Sequence, residues 1–421
     1  MSTNTTQFSP IPTFSLAERD RRWNLARMFM EGHGLDAMLV IGEHEDAGPA
    51  NYSYDTWFTN TRPGTTVLLP RTGLPHIIVP APMFVLDHME AGDEAWFPAE
   101  SLRIGRHSVG VIQAITELGL AKGKIGIFGL EPSIPFQPEG IISHNFWMNL
   151  TANLPDVEFR PIATQFALRM MVQSEEEMAV LRHSALIGEA MVQAMVDTAR
   201  PGVSEAEVYA AGMAAALSRG TIIPWMHMCS GPDNVRFGPP AWGYRPTKPR
   251  MLLENDFITA EVFCNFGSRC TQHQASIVIG EGHEDIERAA SIARACYEAG
   301  PKALRPKATF GEVAESMITP VEAVGGWVRG PQIHGINPPL HIARIPENHI
   351  HIDGVDAYPS MHGGPTLMPD FELAPGMTFV LEPSCGFGRH IVTIGGTVVV
   401  GQDGAIELNP SSGQLLRAGR R

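Results

Sequence analysis

Two histidines, His334 and His341, lie seven residues apart in the segment VRGPQIHGINPPLHIARIP, residues 328–346. Imidazole titrates near neutral pH, so histidines serve as metal ligands and as general acids or bases. The segment contains too much proline, glycine and asparagine to form one long helix. The spacing alone therefore leaves three interpretations open: metal ligands, acid–base groups, or buried structural residues.

Two glutamates interrupt apolar segments that are typical of buried strands. Glu261 lies within FITAEVFCNF, and Glu382 follows TFVL directly before Pro383. A buried carboxylate requires a cation, a hydrogen-bond donor or a raised pKa. Because Pro383 ends its strand, we expect Glu382 to stand at a strand end and to face a site. For Glu261 the pattern is equally compatible with the solvent face of a strand.

The elements that must position these residues change in character near residue 170. The first third alternates helices with short apolar runs bounded by glycine and proline, as in LDAMLVIG and KIGIFGL. Ser174 and Glu177 then have the spacing of a capping box and begin a long amphipathic helix. Strands interleaved with helices follow, which is typical of an α+β domain with a curved antiparallel sheet. We predict an α/β domain at 1–168 and an α+β domain at 169–421.

Composition narrows the classes of function. A net charge of −14, from 31 basic and 45 acidic residues, disfavours a nucleic-acid partner. The N-terminal sequence MSTNTTQFSPIPTF lacks the features of a signal peptide, and no apolar run approaches the ~20 residues of a membrane helix. Five scattered cysteines without a CxxC pair argue against structural zinc. We expect a cytoplasmic protein with no nucleic-acid or membrane partner.

Four ordered segments resemble the creatinase/aminopeptidase P family, whose catalytic domain has the pita-bread fold. They are LLENDFITAEVF, IHGINPPLH, LAPGMTFVLEP and TIGGTVVVGQDG. The family has corresponding motifs: Gly-Asp with a later Asp, Gly-His-Gly with a second His, Leu-x-Pro-Gly-Met before a strand ending in Glu-Pro, and Arg-Ile-Glu-Asp-Thr-Val. The resemblance covers nearly the full length. It implies a C-terminal pita-bread catalytic domain preceded by a smaller creatinase-like α/β domain.

The metallopeptidases of this family bind two metals through two aspartates, one histidine and two glutamates. Carried over one at a time, these positions fall on Glu261, Gln272, His334, Glu382 and Gly395. Gln272 and Gly395 replace the carboxylates that bridge the two metals in the family. A neutral amide is a weak ligand and glycine has no side chain, so the remaining donors are too few for a closed site. The resemblance therefore implies a degenerate metal site, with no metal and no other cofactor.

Metal-free members of the family give the expected roles. Creatinase hydrolyses a C–N bond with a histidine at the position of His334 and a glutamate at that of Glu382. Ectoine hydrolase is similar in placing a glutamate at the position of Glu261. The resemblance implies that His334 transfers protons and that Glu382 orients it or stabilises its imidazolium. Glu261 would hold a substrate cation or act as a second base or nucleophile.

The resemblance also implies substrate-binding residues. Arg62 is similar to the creatinase arginine that reaches the substrate carboxylate in the neighbouring subunit, so we expect a homodimer with shared sites. Arg344 lies near the place of a second carboxylate-binding arginine. His341 and Gln272 would line the pocket. Tyr244 stands where relatives have a histidine, and its hydroxyl is a candidate donor to a developing oxyanion.

These residues together predict a metal-independent hydrolase of a C–N bond, other than an ordinary peptide bond, in a small polar carboxylate-bearing compound. Three alternatives stay open: a lyase acting on a small zwitterion, as in dimethylsulfoniopropionate lyase; a metallo Xaa-Pro aminopeptidase-like enzyme; and a non-catalytic binding protein. The segment Ser230–Pro246 is longer than in these relatives. Neither creatine nor ectoine is therefore assumed as the substrate.

Overall fold

The computed structural model describes residues 10–42, 54–105, 107–131, 140–223, 226–233 and 235–419. The chain forms two compact units, Thr13–Met170 and Met171–Arg421, and residues 10–12 belong with the second. Among the described helices, none is both long enough and apolar enough to cross a bilayer.

The first unit is an α/β layer built on a mixed six-stranded sheet, in the order β4-β3-β2-β1-β5-β6. Its strands are β1 Ala37–Ile41, β2 Thr66–Pro70, β3 His76–Val79, β4 Leu102–Ile104, β5 Lys124–Phe128 and β6 Glu158–Pro161. Its helices are α1 Leu16–His33, α2 Tyr54–Thr59, α3 Met83–Ala91, α4 His107–Glu117, α5 His144–Asn153 and α6 Ala163–Met170. Apolar side chains on the two faces of the sheet form two separate core clusters.

The second unit is an α+β domain with a curved sheet, in the order β10-β11-β14-β9-β8-β7, to which β15 and β16 add. The strands are β7 His227–Gly231, β8 Phe257–Phe266, β9 Arg269–Ile279, β10 Ile333–Gly335, β11 Thr378–Leu381, β12 Ser384–Phe387, β13 His390–Thr393, β14 Gly395–Val400, β15 Ala405–Glu407 and β16 Leu416–Ala418. The helices are α7 Glu175–Thr198, α8 Glu205–Leu217, α9 Glu284–Ala303 and α10 Phe310–Ala323. The predicted α+β fold class is confirmed.

Local sequence signals fix the long helices of this unit. Ser174 caps α7 by accepting from the Glu177 backbone N–H, while the Glu177 side chain accepts from the Ser174 backbone, so the predicted capping box is present. Ser204 and Glu207 repeat the motif at α8. Apolar residues of α7 then pack on β8 and β9 in one continuous core. The packing holds the central hairpin of the sheet against a rigid helix.

The β8–β9 hairpin carries the chemically interesting side chains on one face. Its antiparallel register places Glu261 opposite Gln274, and β7 places His227 opposite Glu261 on the other side. Gln272 lies two residues before Gln274 and therefore shares its face, because side chains alternate along a strand. The pairing of β14 with β9 sets Gly395 opposite Gln274. The register thus gathers residues that lie far apart in the sequence.

Candidate active site

Glu261 is the centre of a buried polar cluster and retains 6% of its exposure. Its Oε2 lies 2.9 Å from Nδ1 of His227 on the neighbouring strand. Its Oε1 accepts hydrogen bonds from the side-chain amides of Gln272 and Gln274, the latter at 3.3 Å. The sequence pattern left open whether Glu261 faces the solvent or the interior, and these contacts answer that question. It points inward, and donors on two adjacent strands compensate its burial.

Glu382 stands directly after β11, at the strand end where the sequence predicts it. Its Oε2 accepts from Nε2 of Gln272 at 2.7 Å and from Nε2 of Gln274 at 2.9 Å. A carboxylate accepts hydrogen bonds, so the NH2 groups of both glutamines must face it. Each amide therefore bridges Glu261 and Glu382. These two glutamates are called the carboxyl pair below.

Glu382 retains its proton to a higher pH than an isolated carboxyl would. Burial raises the pKa of Glu382 well above its ordinary value, and the charge of Glu261 raises it further. The hydrogen bonds from Gln272 and Gln274 act in the opposite direction without cancelling these effects, while a hydrogen bond with Glu261 raises the pKa. Glu382 is therefore the member of the pair that holds the proton.

His334 presents a lone pair toward Glu382. Its Nδ1 lies 2.8 Å from the backbone carbonyl oxygen of Gly335, which can only accept, so Nδ1 carries the hydrogen and Nε2 is the basic nitrogen. Nε2 lies 3.6 Å from Oε1 of Glu382, beyond a hydrogen bond. Burial lowers the pKa of His334, and the Gly335 carbonyl and the Glu261 charge only partly oppose this. The Gly335 carbonyl, rather than Glu382, thus orients a neutral imidazole.

His341 is an uncharged residue packed among aromatic rings. Its ring centroid lies 4.4 Å from that of Phe371, 5.3 Å from Phe310 and 6.2 Å from Phe379. Burial lowers its pKa to about 4. Neither ring nitrogen has a hydrogen-bond partner among the described residues. It is therefore a packing residue, separate in its contacts from the carboxyl pair.

Two residues expected at the site by resemblance are not joined to it. The Arg344 guanidinium pairs with Glu315 at 2.8 Å and Glu322 at 2.9 Å, so two carboxylates of α10 already compensate its charge. Tyr244 is 68% exposed. Among the described residues, no hydrogen bond or ion pair connects either of them to the carboxyl pair. In the first unit, Arg62 pairs with Asp87 at 3.0 Å.

Three residues of the cluster were missed by sequence reasoning. Gln274 shares the face of Gln272, and the two-residue period of a strand was a usable signal for it. His227 reaches Glu261 only through the register of β7 on β8. Arg329 lies five residues before His334, and its guanidinium nitrogens are buried without a hydrogen-bond partner among the described residues.

The donor set does not fit the metal pair of the resembling peptidases. The NH2 groups of Gln272 and Gln274 occupy the space between the carboxylates, and an NH2 group does not ligate a metal. Gly395 has φ +110°, and a Cβ there would collide with the Leu381 carbonyl oxygen. A carboxylate at that position is therefore sterically excluded in this backbone.

The structure offers one different set of metal-ligating atoms. Within the described part of the chain, one group of three such residues has its donor atoms within 4.8 Å of one another: His283, Asp285 and His390. None of these residues belongs to the carboxyl pair or to its hydrogen-bond partners.

Solved structures of other proteins share the fold of this chain. The chain is similar to an Xaa-Pro dipeptidase from Bacillus anthracis, with 17% identity, TM-score 0.71 and coverage of 95% of this chain and 99% of that chain. It is similar to an X-Pro aminopeptidase from Thermotoga maritima, with 16% identity, TM-score 0.70 and coverage of 94% and 99%. A dipeptidase PepE from Mycobacterium ulcerans gives 19% identity, TM-score 0.69 and coverage of 96% and 99%.

These structural likenesses span nearly the whole of each chain and confirm the predicted pita-bread fold. Comparison with curated proteins gave no significant match. The family model of metallopeptidase family M24 matches residues 179–402, which include the carboxyl pair, both bridging glutamines and His334. The chain belongs to metallopeptidase family M24, a family of hydrolases.

Proposed function

We propose that this member of family M24 hydrolyses a C–N bond in a small, carboxylate-bearing compound without a metal. One observation carries the proposal: the amides of Gln272 and Gln274 bridge Glu261 and Glu382, where the family motif places metal ligands. In this arrangement, four hydrogen bonds from neutral amides and one retained proton compensate the two buried glutamates, in place of the positive charge of metal ions.

The cluster holds an acid and a base with separated proton affinities, as hydrolysis requires. His334 is neutral and presents Nε2, so it is suited to take a proton from water as the water attacks carbon. The carboxyl pair holds a proton that it can give to the nitrogen as the C–N bond breaks. The proton on His334 then passes to the pair, and both groups return to their starting states.

Exposure of the cluster supports access by a small substrate. The side chains of His334 and Glu382 retain 13% and 12% of their exposure, and that of His227 retains 21%. His227 lies 2.9 Å from Oε2 of Glu261, whereas burial raises the pKa of Glu382, so the Glu382 carboxyl is the proton donor. The acid, Glu382, and the base, His334, are then neighbours, with 3.6 Å between Oε1 of Glu382 and Nε2 of His334.

A second candidate is a metallopeptidase of the Xaa-Pro type. The family and the three similar structures, which are peptidases, favour it. It requires divalent ions to displace both glutamine amides from the carboxylates, and the carboxyl pair to lose its proton. Divalent ions would therefore be needed for activity under this alternative.

The experiment combines metal analysis with product analysis in water enriched in ¹⁸O. The purified chain is offered N-acyl and N-amidino amino acids and Xaa-Pro dipeptides, with chelator or with added Mn²⁺, Co²⁺ or Zn²⁺. The proposal expects turnover of a non-peptide substrate that survives chelation, ¹⁸O in the product, and well under one transition metal per chain. Cleavage of Xaa-Pro dipeptides only with metal would establish the second candidate. An alkene product without ¹⁸O would indicate a lyase.

A further inference from the structure

Arg329 is a buried cation whose charge has no direct partner within the described part of the chain. Its Nε, Nη1 and Nη2 atoms are all inaccessible to solvent, and none has a hydrogen-bond partner among the described residues. A buried, unpaired guanidinium is destabilising, because it loses hydration without regaining hydrogen bonds. Burial accordingly lowers the pKa of Arg329 to about 10. Such a group is expected where a ligand supplies the missing acceptor.

The surroundings fix this guanidinium beside the carboxyl pair. The backbone N–H of Arg329 donates to Oγ of Ser384 at 3.0 Å, only two residues after Glu382. The guanidinium carbon lies 4.9 Å from the centroid of the Phe237 ring. The charges of Glu261 and Glu382 act on Arg329 and partly offset the effect of burial, but neither carboxylate pairs with it directly. Arg329 is therefore held in place without being neutralised.

Phe237 connects Arg329 to the rest of the cluster. Its ring also packs edge-on against His227, with centroids 4.9 Å apart, and His227 contacts Glu261. Phe237 lies after β7 in the sequence, and it is 50% exposed. Phe237 thus provides an aromatic wall that His227 and Arg329 share. A ligand bound along this wall would meet a cation at one end and the carboxyl pair at the other.

We propose that Arg329 binds the carboxylate of the substrate and so holds the scissile nitrogen at the carboxyl pair. This inference rests on the proposed function and names the residue that recognises the substrate. A planar guanidinium with free nitrogens binds a carboxylate through two parallel hydrogen bonds. One cation beside two glutamates suits a monoanion better than a dianionic phosphate, which the carboxyl pair would repel. The substrate class is a small amino-acid derivative whose nitrogen lies close to its carboxylate.

Arg344 provides a matched comparison within the same chain. It lies ten residues after His334, whereas Arg329 lies five residues before it, and Glu315 and Glu322 already occupy the Arg344 guanidinium. A carboxylate ligand would have to displace two ion pairs to reach it. Substitution by glutamine should therefore weaken carboxylate binding at Arg329 and leave it unchanged at Arg344.

The test uses N-acetylglycine and its neutral analogue N-acetylglycinamide as probes, with binding followed by ligand-observed NMR. We expect the unmodified chain to bind the acid and not the amide. Arg329→Gln should weaken binding of the acid at least ~10-fold, the worth of about 1.4 kcal/mol for a charged hydrogen bond. Arg329→Lys should recover only part of the loss, because ammonium lacks the planar fork. Arg344→Gln should bind as the unmodified chain does.

Thermal stability separates a binding role from a structural one. Arg329→Gln should unfold at the same or a higher temperature than the unmodified chain, because it removes an uncompensated buried charge. Strong destabilisation by Arg329→Gln would overturn the inference and make Arg329 a structural ion partner. So would equal binding of acid and amide, unchanged binding in Arg329→Gln, or no binding of the acid at ~10 mM, well above the usual KM range.

The result is distinguishable from failure of the proposed function. Carboxylate binding that depends on Arg329, combined with strictly metal-dependent turnover, would leave this inference standing and refute metal-independent hydrolysis. Metal-independent turnover with an unchanged KM in Arg329→Gln would support metal-independent hydrolysis and refute carboxylate binding by Arg329.

Discussion

The proton held by the carboxyl pair makes the stability of the protein depend on pH in a specific way. The carboxyl of Glu382 has its ordinary pKa of 4.5 when the chain is unfolded and a pKa well above this when the chain is folded. Between these two values the unfolded state releases a proton that the folded state keeps. The free energy of unfolding therefore decreases as the pH rises through this window, by up to about 1.4 kcal/mol per pH unit.

Glu382→Gln should remove this dependence. A glutamine amide has the shape of a protonated glutamate, cannot ionise, and can still accept from Gln272 and Gln274 and donate to Glu261. Relative to the unmodified chain, the variant should be nearly neutral in stability close to the ordinary carboxyl pKa of 4.5. At higher pH its free energy of unfolding should exceed that of the unmodified chain by a growing amount, until the pH passes the folded-state pKa of Glu382. Its turnover should fall, because the acid is lost.

Urea unfolding of the two proteins, followed by tryptophan fluorescence at several pH values between about 5 and 8, measures the difference directly. Glu298→Gln is the control, because Glu298 is exposed and, in the described ranges, pairs with Arg294 alone, on the same helix. Its effect should stay below about 0.5 kcal/mol at every pH. Parallel pH profiles for Glu382→Gln and the unmodified chain would refute a retained proton. So would destabilisation by about 3 kcal/mol or more, the result for removal of a paired buried charge.

Two further predictions follow from the same geometry, and a third follows from the sequence resemblance. His334→Ala should lower kcat by roughly 10²–10⁴-fold, with His283→Ala as the control, and near-normal turnover in steady-state kinetics would make His334 structural. Gly395→Ala should be destabilised by about 1–3 kcal/mol, because a residue with a Cβ does not tolerate φ +110° beside the Leu381 carbonyl; an unchanged melting temperature would contradict this. Light scattering should find a homodimer, as the resemblance of Arg62 implies, and a monomer at working concentration would be the opposite result.

The sequence alone determined the fold class and most members of the cluster. The capping box of α7, the apolar strands and the Pro-terminated strand before Glu382 are local signals, and each depends on a few neighbouring residues. Four residues chosen by motif, Glu261, Gln272, His334 and Glu382, lie together in the structure. Motif spacing succeeds here because strand positions within a shared fold fix which side chains meet.

Tertiary structure alone decided how these residues are compensated. His227 reaches Glu261 through the register of two strands that lie far apart in the sequence. Arg344 pairs with α10, whereas Arg329, which looks no different in sequence, has no direct partner among the residues that the structure describes. The reason is physical: the protonation and free hydrogen-bonding capacity of a buried group depend on every donor, acceptor and charge packed around it. Those neighbours come from distant parts of the chain, so only the folded structure identifies them.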